Sequence, residues 1–168
     1  MIRKEQKKAF TPNFYFTLSF EYTFEDSNDE IYFAHSIPYT YSMLMKHLHH
    51  LEELPHAHKI LTRQCLTTTL AGNWCEVLTI TNKTENKRNI KRRGVFISAR
   101  VHPGETGASW IMEGILTYLM SDLPEVAELW DSFVFKIIPM LNPDGVIHGN
   151  YRCSLVGCDL NRRWRHPS

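Results

Sequence analysis

The sequence predicts an α/β domain with parallel strands. Two short apolar runs, Gly94–Ala99 and Phe133–Met140, have the length of buried strands. Between them, apolar residues recur at helical spacing from about Thr106 to Met120, and Pro124 sits well in the first turn of another short helix. Strand, helix, helix, strand is the order of a parallel connection. The 168 residues suffice for one ordinary domain, or a domain and a fragment. A hydrophobic share of 43% with 22% charged residues excludes disorder throughout. Nineteen basic against 18 acidic residues, net +1, excludes a generic nucleic-acid binder. No apolar run approaches the roughly 20 residues of a membrane span. The polar start, Met1 to Lys8, has no apolar signal core after it, so an intracellular soluble protein with no nucleic-acid or membrane partner is expected.

The elements follow in order. Phe14, Phe16, Leu18, Phe20, Tyr22 and Phe24 occupy every second position, the pattern of a half-buried strand. Glu25–Glu30 is a polar turn, and Ile31–Ala34 restarts an apolar run, so a hairpin is expected. The turn lacks the spacing and glycine of an EF-hand. Thr40 or Ser42 caps a helix with Tyr41, Leu44, Leu48 and Leu51 on one face, ended by Pro55. His47, His49, His50, His56 and His58 crowd this region and are read as solvated helix and loop residues. Residues 65–70 and 74–80 form two strands about Ala71-Gly72-Asn73. Lys83–Arg93 is a basic loop, either a solvated connection or a steering patch for an acidic partner. In the next helix Ala108, Ile111, Met112, Ile115, Leu116 and Leu119 trace the buried face, and Asp122 is a possible cap for the one after it. Asn142-Pro143-Asp144-Gly145 is turn chemistry, which gives Asn142 and Asp144 structural roles. Trp110 and Trp164 are read as core or flank aromatics, and His148 has no assigned role. Cys65, Cys75, Cys153 and Cys158 contain no C-x-x-C and are read as reduced thiols.

The chemistry lies in Arg100-Val101-His102-Pro103-Gly104-Glu105, between an apolar strand and a helix. In open α/β sheets, sites form at the carboxyl ends of strands. His102 offers an imidazole nitrogen and Glu105 a carboxylate to one zinc ion, and Pro103-Gly104 makes the turn that lets them converge. An H-x-x-E alone is weak. Three later stretches strengthen it: Asn142-Pro143-Asp144-Gly145-Val146, Gly149-Asn150-Tyr151-Arg152-Cys153-Ser154 and Asp159-Leu160-Asn161-Arg162.

In this combination and order the sequence resembles the zinc metallocarboxypeptidases of the carboxypeptidase A superfamily. Within it, the closer likeness is to the cytosolic carboxypeptidases, which include the tubulin deglutamylases. The resemblance runs from about Phe14 to the end. It implies the N-terminal part of a carboxypeptidase-like mixed-sheet α/β domain over residues 36–168. Residues 1–35 would then be the last hairpin of a β-rich domain, with the junction at Tyr32-Phe33-Ala34-His35 and Pro38-Tyr39-Thr40-Tyr41-Ser42. It implies one Zn2+ per site, with His102 and Glu105 as ligands. Arg152 matches the catalytic arginine that polarises the scissile carbonyl, and Asn161 and Arg162 the pair that binds the terminal carboxylate. The implied activity is hydrolysis of C-terminal residues, glutamates first, from polypeptides such as glutamylated tubulin tails. The implied place is the cytoplasm, associated with microtubules or cilia.

The resemblance also calls for a third ligand, a later histidine, and for a general-base glutamate. Neither has a counterpart between Arg162 and Ser168; His166 comes too soon. The chain is therefore expected to be a truncated piece, inactive alone. The alternative is a non-catalytic module that keeps Arg152, Asn161 and Arg162 to grasp peptide C-termini. A small-molecule amidohydrolase on the same fold is a third reading, against which the junction motif counts.

Overall fold

The computed structural model describes residues 18–84 and 91–166. The chain divides into two compact units, Met1–Phe33 and Ala34–Ser168. In the first, the polar turn forms around Ser27–Asn28, with Asn28 at a positive φ of 63°. The expected strand ladder does not: among the described residues 18–33 no strand is present, and residues 14–17 lie outside the description. The two arms meet instead through aromatic edges, Phe20 to Phe33 at 4.9 Å and Tyr22 to Phe33 at 5.6 Å between ring centres. Two strands without a third layer are marginal, and here Phe20, Tyr22 and Phe24 are exposed.

The second unit is built as α1 (Tyr41–Glu53), α2 (Ala57–Ile60), β1 (Leu61–Thr68), β2 (Trp74–Ile80), β3 (Arg93–Ser98), α3 (Thr106–Leu119), α4 (Pro124–Ser132), β4 (Phe133–Ile138) and α5 (Pro143–His148), with a final 3-10 turn at Leu160–Arg162. The four strands form one mixed sheet in the order β1-β2-β4-β3. β1 and β4 run antiparallel to β2, and β3 runs parallel to β4 as the strand-helix-helix-strand order requires. Leu78, Ile137 and Ile97 fall in one register row across β2, β4 and β3.

Leu44, Leu48 and Leu51 of α1 and Met112, Leu116 and Leu119 of α3 pack with Leu78, Ile80 and Ile137 into a single core. Thr40 caps α1 as expected, accepting from Met43 N at 3.1 Å. Three expectations change. On α3, Ile111 is exposed and Ser109 is buried, because Ser109 Oγ accepts from the buried Arg100 guanidinium at 2.7 Å. Asp122 does not cap α4, whose N-cap is Leu123; its carboxylate lies 3.0 Å from His56 Nδ1. His56 is therefore a packed residue, stacked on Trp130 and bonded to the Met120 carbonyl at 2.9 Å, rather than a solvated one.

The basic stretch lies at the far end of β3. Lys83 donates to the carbonyls of His58 and Leu61. Arg92 donates to the Asn82 and Asp131 carbonyls at 2.5 and 3.0 Å, and Arg93 lies over the Phe133 ring at 4.7 Å. β3 then runs six residues, about 20 Å, before the chain reaches the Arg100–Glu105 turn. Residues 85–90, with Glu85, Lys87 and Arg88, fall outside the description.

Candidate active site

Because β3 and β4 are parallel, they release their connections at the same edge of the sheet. The Ala99 N–H donates to Ile138 O at 3.0 Å and Leu141 N–H to Ala99 O at 2.9 Å, so the two exits are stitched together. There Arg100 takes a positive φ of 54°, an unfavourable backbone for a side chain of its size. Its buried guanidinium holds the bend, with Nε donating to Pro103 O at 2.8 Å and Nη1 to Ser109 Oγ and to Tyr39 O. Burial lowers its pKa. It stays the charged clasp of the turn.

The turn is bolted to the Tyr151-Arg152 segment. Gly104 N–H donates to Tyr151 O at 2.7 Å. A Cβ at Gly104 would come 2.5 Å from the Tyr151 ring and 2.8 Å from that carbonyl oxygen, so only glycine fits. From the other side, α5 begins against Pro103: a Cβ at Gly145 would collide with Pro103 Cγ. The segment read as a plain turn, Asn142–Gly145, is in fact a helix start. Asn142 caps it by accepting from Gly145 N at 3.0 Å, and Pro143 stands at the first helical position.

Four site groups are joined end to end. His102 is buried. Its Nδ1 lies 2.9 Å from Glu105 Oε1 and its Nε2 3.1 Å from Asp159 Oδ1. Asp159 Oδ2 accepts from Arg152 Nε at 2.7 Å, and its Oδ1 also accepts the Asn161 N–H at 3.0 Å. Desolvation raises the Asp159 pKa, but Arg152, His102 and the Asn161 N–H outweigh it and hold the carboxyl below its ordinary range. Asp159 is the residue that sequence reasoning passed over. Its signal was present in the D-x-N-R spacing, since it caps the 3-10 turn that carries Asn161 and Arg162. Arg152 uses Nε on Asp159, and its two Nη groups make no hydrogen bond among the described residues.

Asn161 is oriented by its neighbour. Trp164 Nε1 donates to Asn161 Oδ1 at 2.6 Å. An indole N–H is only a donor, so the amide oxygen must face it and the amide NH2 must point the other way. Trp164 was read as a flank aromatic; it fixes the polarity of Asn161. Arg162 is exposed, with Nη1 donating to Asn161 O at 3.3 Å.

These residues fit zinc as part of a set. With bonds of 2.0–2.1 Å, two tetrahedral donors lie about 3.3 Å apart, and His102 Nδ1 and Glu105 Oε1 stand at 2.9 Å. The carboxylate on the far ring nitrogen is the usual support of a metal-binding histidine. Among the described residues no group of three or more His, Cys, Asp or Glu side chains is arranged to hold a metal ion.

Comparison with known proteins identifies the family and the fold. A family model described as zinc carboxypeptidase matches residues 47–167. Cytosolic carboxypeptidase 1 of Gallus gallus is 52% identical over 163 residues, and that of Homo sapiens 51% over 161; each alignment covers 92% of this chain and 13% of the relative. The chain thus spans about an eighth of the length of these curated relatives. The crystal structure of a metallo-carboxypeptidase from Burkholderia cenocepacia superposes with a TM-score of 0.69 at 32% identity, over 78% of this chain and 34% of that one. The mixed sheet with its helices is the carboxypeptidase fold, and the chain belongs to the zinc carboxypeptidase family.

Proposed function

We propose that residues 34–168 carry half of the active site of a zinc-dependent carboxypeptidase that removes C-terminal residues, glutamates first, from cytosolic polypeptides such as tubulin tails. The observation that carries this is the unbroken series Glu105–His102–Asp159–Arg152. His102 and Glu105 hold the metal, which when bound supplies a Lewis acid and lowers the pKa of its water. Asp159 fixes the His102 ring and aims the Arg152 fork. The open Nη groups of Arg152 receive the scissile carbonyl and the charge that grows on its oxygen. The Asn161 amide NH2 and the Arg162 guanidinium take the terminal carboxylate, for which a planar bidentate donor is well matched. The likeness to cytosolic carboxypeptidases supports the glutamate and tubulin reading, and with it a place in the cytoplasm near microtubules or cilia.

A second reading is favoured by one observation: two, not three, metal-type ligands converge among the described residues. On it, the chain is a non-catalytic module that binds peptide C-termini through Arg152, Asn161 and Arg162.

The test uses the longest natural chain that contains these residues, and measures bound zinc and release of C-terminal amino acids. Arg152→Ala should lower kcat by about 100-fold or more, as loss of an oxyanion donor does. Arg162→Ala should act mainly on KM. His102→Ala or Glu105→Ala should remove zinc and activity together. Peptide binding without zinc and without release of an amino acid would favour the binding module. Full zinc occupancy in either ligand variant would overturn the metal assignment.

A further inference from the structure

Arg100 stands just ahead of the ligand turn, and two of its features are costly. Its backbone has a positive φ of 54°, and the residue is only 4% exposed. The acceptors of its guanidinium are all neutral: the Pro103 carbonyl at 2.8 Å, the Tyr39 carbonyl at 3.3 Å and the Ser109 hydroxyl at 2.7 Å. A strained backbone and a buried cation that bonds no carboxylate persist only where the surrounding structure over-determines them, and such features gather at functional sites.

Its three acceptors lie on three separate segments. Pro103 belongs to the ligand turn, next to His102. Ser109 lies one turn into α3, and Tyr39 ends the stretch by which the chain enters the second unit, ahead of α1. No side chain caps α3: its N-cap is Glu105, whose carboxylate is turned to His102 at 2.9 Å. The start of α3 is held from outside instead. The Ser36 and Thr106 hydroxyls bond to each other at 2.6 Å. Trp110 Nε1 donates to the Ile37 carbonyl at 3.2 Å, and its ring meets Tyr39 edge-on at 4.9 Å. Thr106, Ser109 and Trp110 are spaced i, i+3 and i+4, so they share one face of α3. Against that face runs Ser36–Tyr39 as a strap. Residues 36–38 are exposed, so polar ties and not burial hold them in place. Arg100 closes the set, because one guanidinium bonds strap, turn and helix together.

We propose that Arg100 is a positioning residue for the metal: with the strap Ser36–Tyr39 it sets how His102 and Glu105 face each other. It acts on His102 through Pro103 and on Glu105 through Ser109 and the first turn of α3. It acts by shape and not by charge. A guanidinium carries its donors in a fixed plane and can hold three acceptors at once, whereas an ammonium on a flexible stem cannot keep all three in place. The inference rests on the zinc carboxypeptidase reading and deepens it, by extending the metal site to a segment more than 60 residues earlier in the chain.

The test uses the same full natural chain and reads zinc affinity by chelator competition, together with the visible spectrum of the cobalt-loaded protein, which reports ligand geometry. Arg100→Lys keeps the charge and loses the planar fork. Its zinc affinity should fall about tenfold or more, the scale on which groups that orient metal ligands act, and its cobalt spectrum should change. Native affinity, or a lower affinity with the native cobalt spectrum, would overturn the proposal and leave Arg100 a structural residue. Should Arg100→Lys fail to fold, two milder variants decide. Ser109→Ala removes one acceptor, and Trp110→Phe keeps the ring on Tyr39 but frees the Ile37 carbonyl. Each should lower zinc affinity by about two- to fivefold, as loss of one ordinary hydrogen bond does; native affinity in both overturns the proposal. If the native chain takes up no zinc, the carboxypeptidase reading fails instead, and amide hydrogen exchange of the metal-free protein judges the clasp. Faster exchange in Arg100→Lys confined to residues 101–109 upholds it. Exchange that is unchanged, or raised evenly across the sheet, overturns it.

Discussion

Asp144 and Asp159 look alike on paper: each follows an exit from the sheet, each accepts three hydrogen bonds or more, and each has a lowered pKa. Their partners differ in kind. Asp144 is buried and accepts from Thr69 Oγ1 at 2.6 Å, Asn73 Nδ2 at 2.9 Å and Ala71 N–H at 3.1 Å, all neutral and all from the β1–β2 turn. Asp159 accepts from Arg152 and His102, groups with further valences directed elsewhere, and from the N–H of Asn161. A carboxylate saturated by neutral donors is a latch that closes the structure on itself. A carboxylate that holds half-used groups, one of them the Arg152 guanidinium, is a jig that presents them to something else.

The largest effect should come from opening the latch. Asp144→Ala removes a buried carboxylate and its three hydrogen bonds to part-buried or exposed groups, at a cost of about 2 kcal/mol, since water can replace part of what hydrogen bonds to a charged group supply. Thermal unfolding measures it. Asp144→Asn adds a pH signature. Burial raises the Asp144 pKa, but Asn73, Thr69 and the Ala71 N–H outweigh it, so the folded value lies below the unfolded one. Such a group stabilises fully above the unfolded value of about 3.9, and that contribution is lost as pH falls through the folded value. The melting temperature of the native chain should therefore drop more steeply below about pH 4 than that of Asp144→Asn. Parallel curves would remove the carboxylate charge from the latch.

Dismantling the jig should leave the fold and impair the metal. Asp159→Asn removes the negative charge that His102 and Arg152 share, while Asn can still cap the 3-10 turn. Zinc affinity, read by chelator competition, should fall about 10- to 100-fold, as expected for an outer carboxylate on a ligating histidine. The melting temperature without metal should stay close to that of the native chain. A large loss of stability with unchanged zinc affinity would make Asp159 a second latch.

The two aspartates also mark how far the sequence could be read. α1 was legible because Thr40 caps it and Leu44, Leu48 and Leu51 repeat on its inner face. The parallel pairing of β3 and β4 followed from the order of elements. The helix at Pro143–His148 was missed because Asn-Pro-Asp-Gly carries turn and cap chemistry at once, and only the packing of Gly145 on Pro103 decides between them. Ser109 was passed over because its burial depends on a charged partner, Arg100, nine residues earlier and not on helical spacing. The approach of His102 and Glu105 to each other was legible from local spacing. Asp159 was not, since its role is defined by a contact 57 residues away.

The smallest effect tests whether a neutral donor can belong to the jig. Trp164 N–H holds Asn161 Oδ1, and by doing so turns the amide NH2 outward. In Trp164→Phe the ring remains but the donor is gone, so the amide can flip and present its oxygen to an incoming carboxylate. The partner lost is one ordinary hydrogen bond of about 1 kcal/mol. KM for peptides with a free C-terminus should rise a few-fold, about two to five, with kcat nearly unchanged, because terminal-carboxylate binding is used in ground and transition states alike. A peptide with an amidated C-terminus offers no carboxylate and should be bound equally by both proteins. If Trp164→Phe shifts only the melting temperature, Trp164 joins Thr69, Ala71 and Asn73 as part of a latch, and orientation of Asn161 must come from the substrate itself.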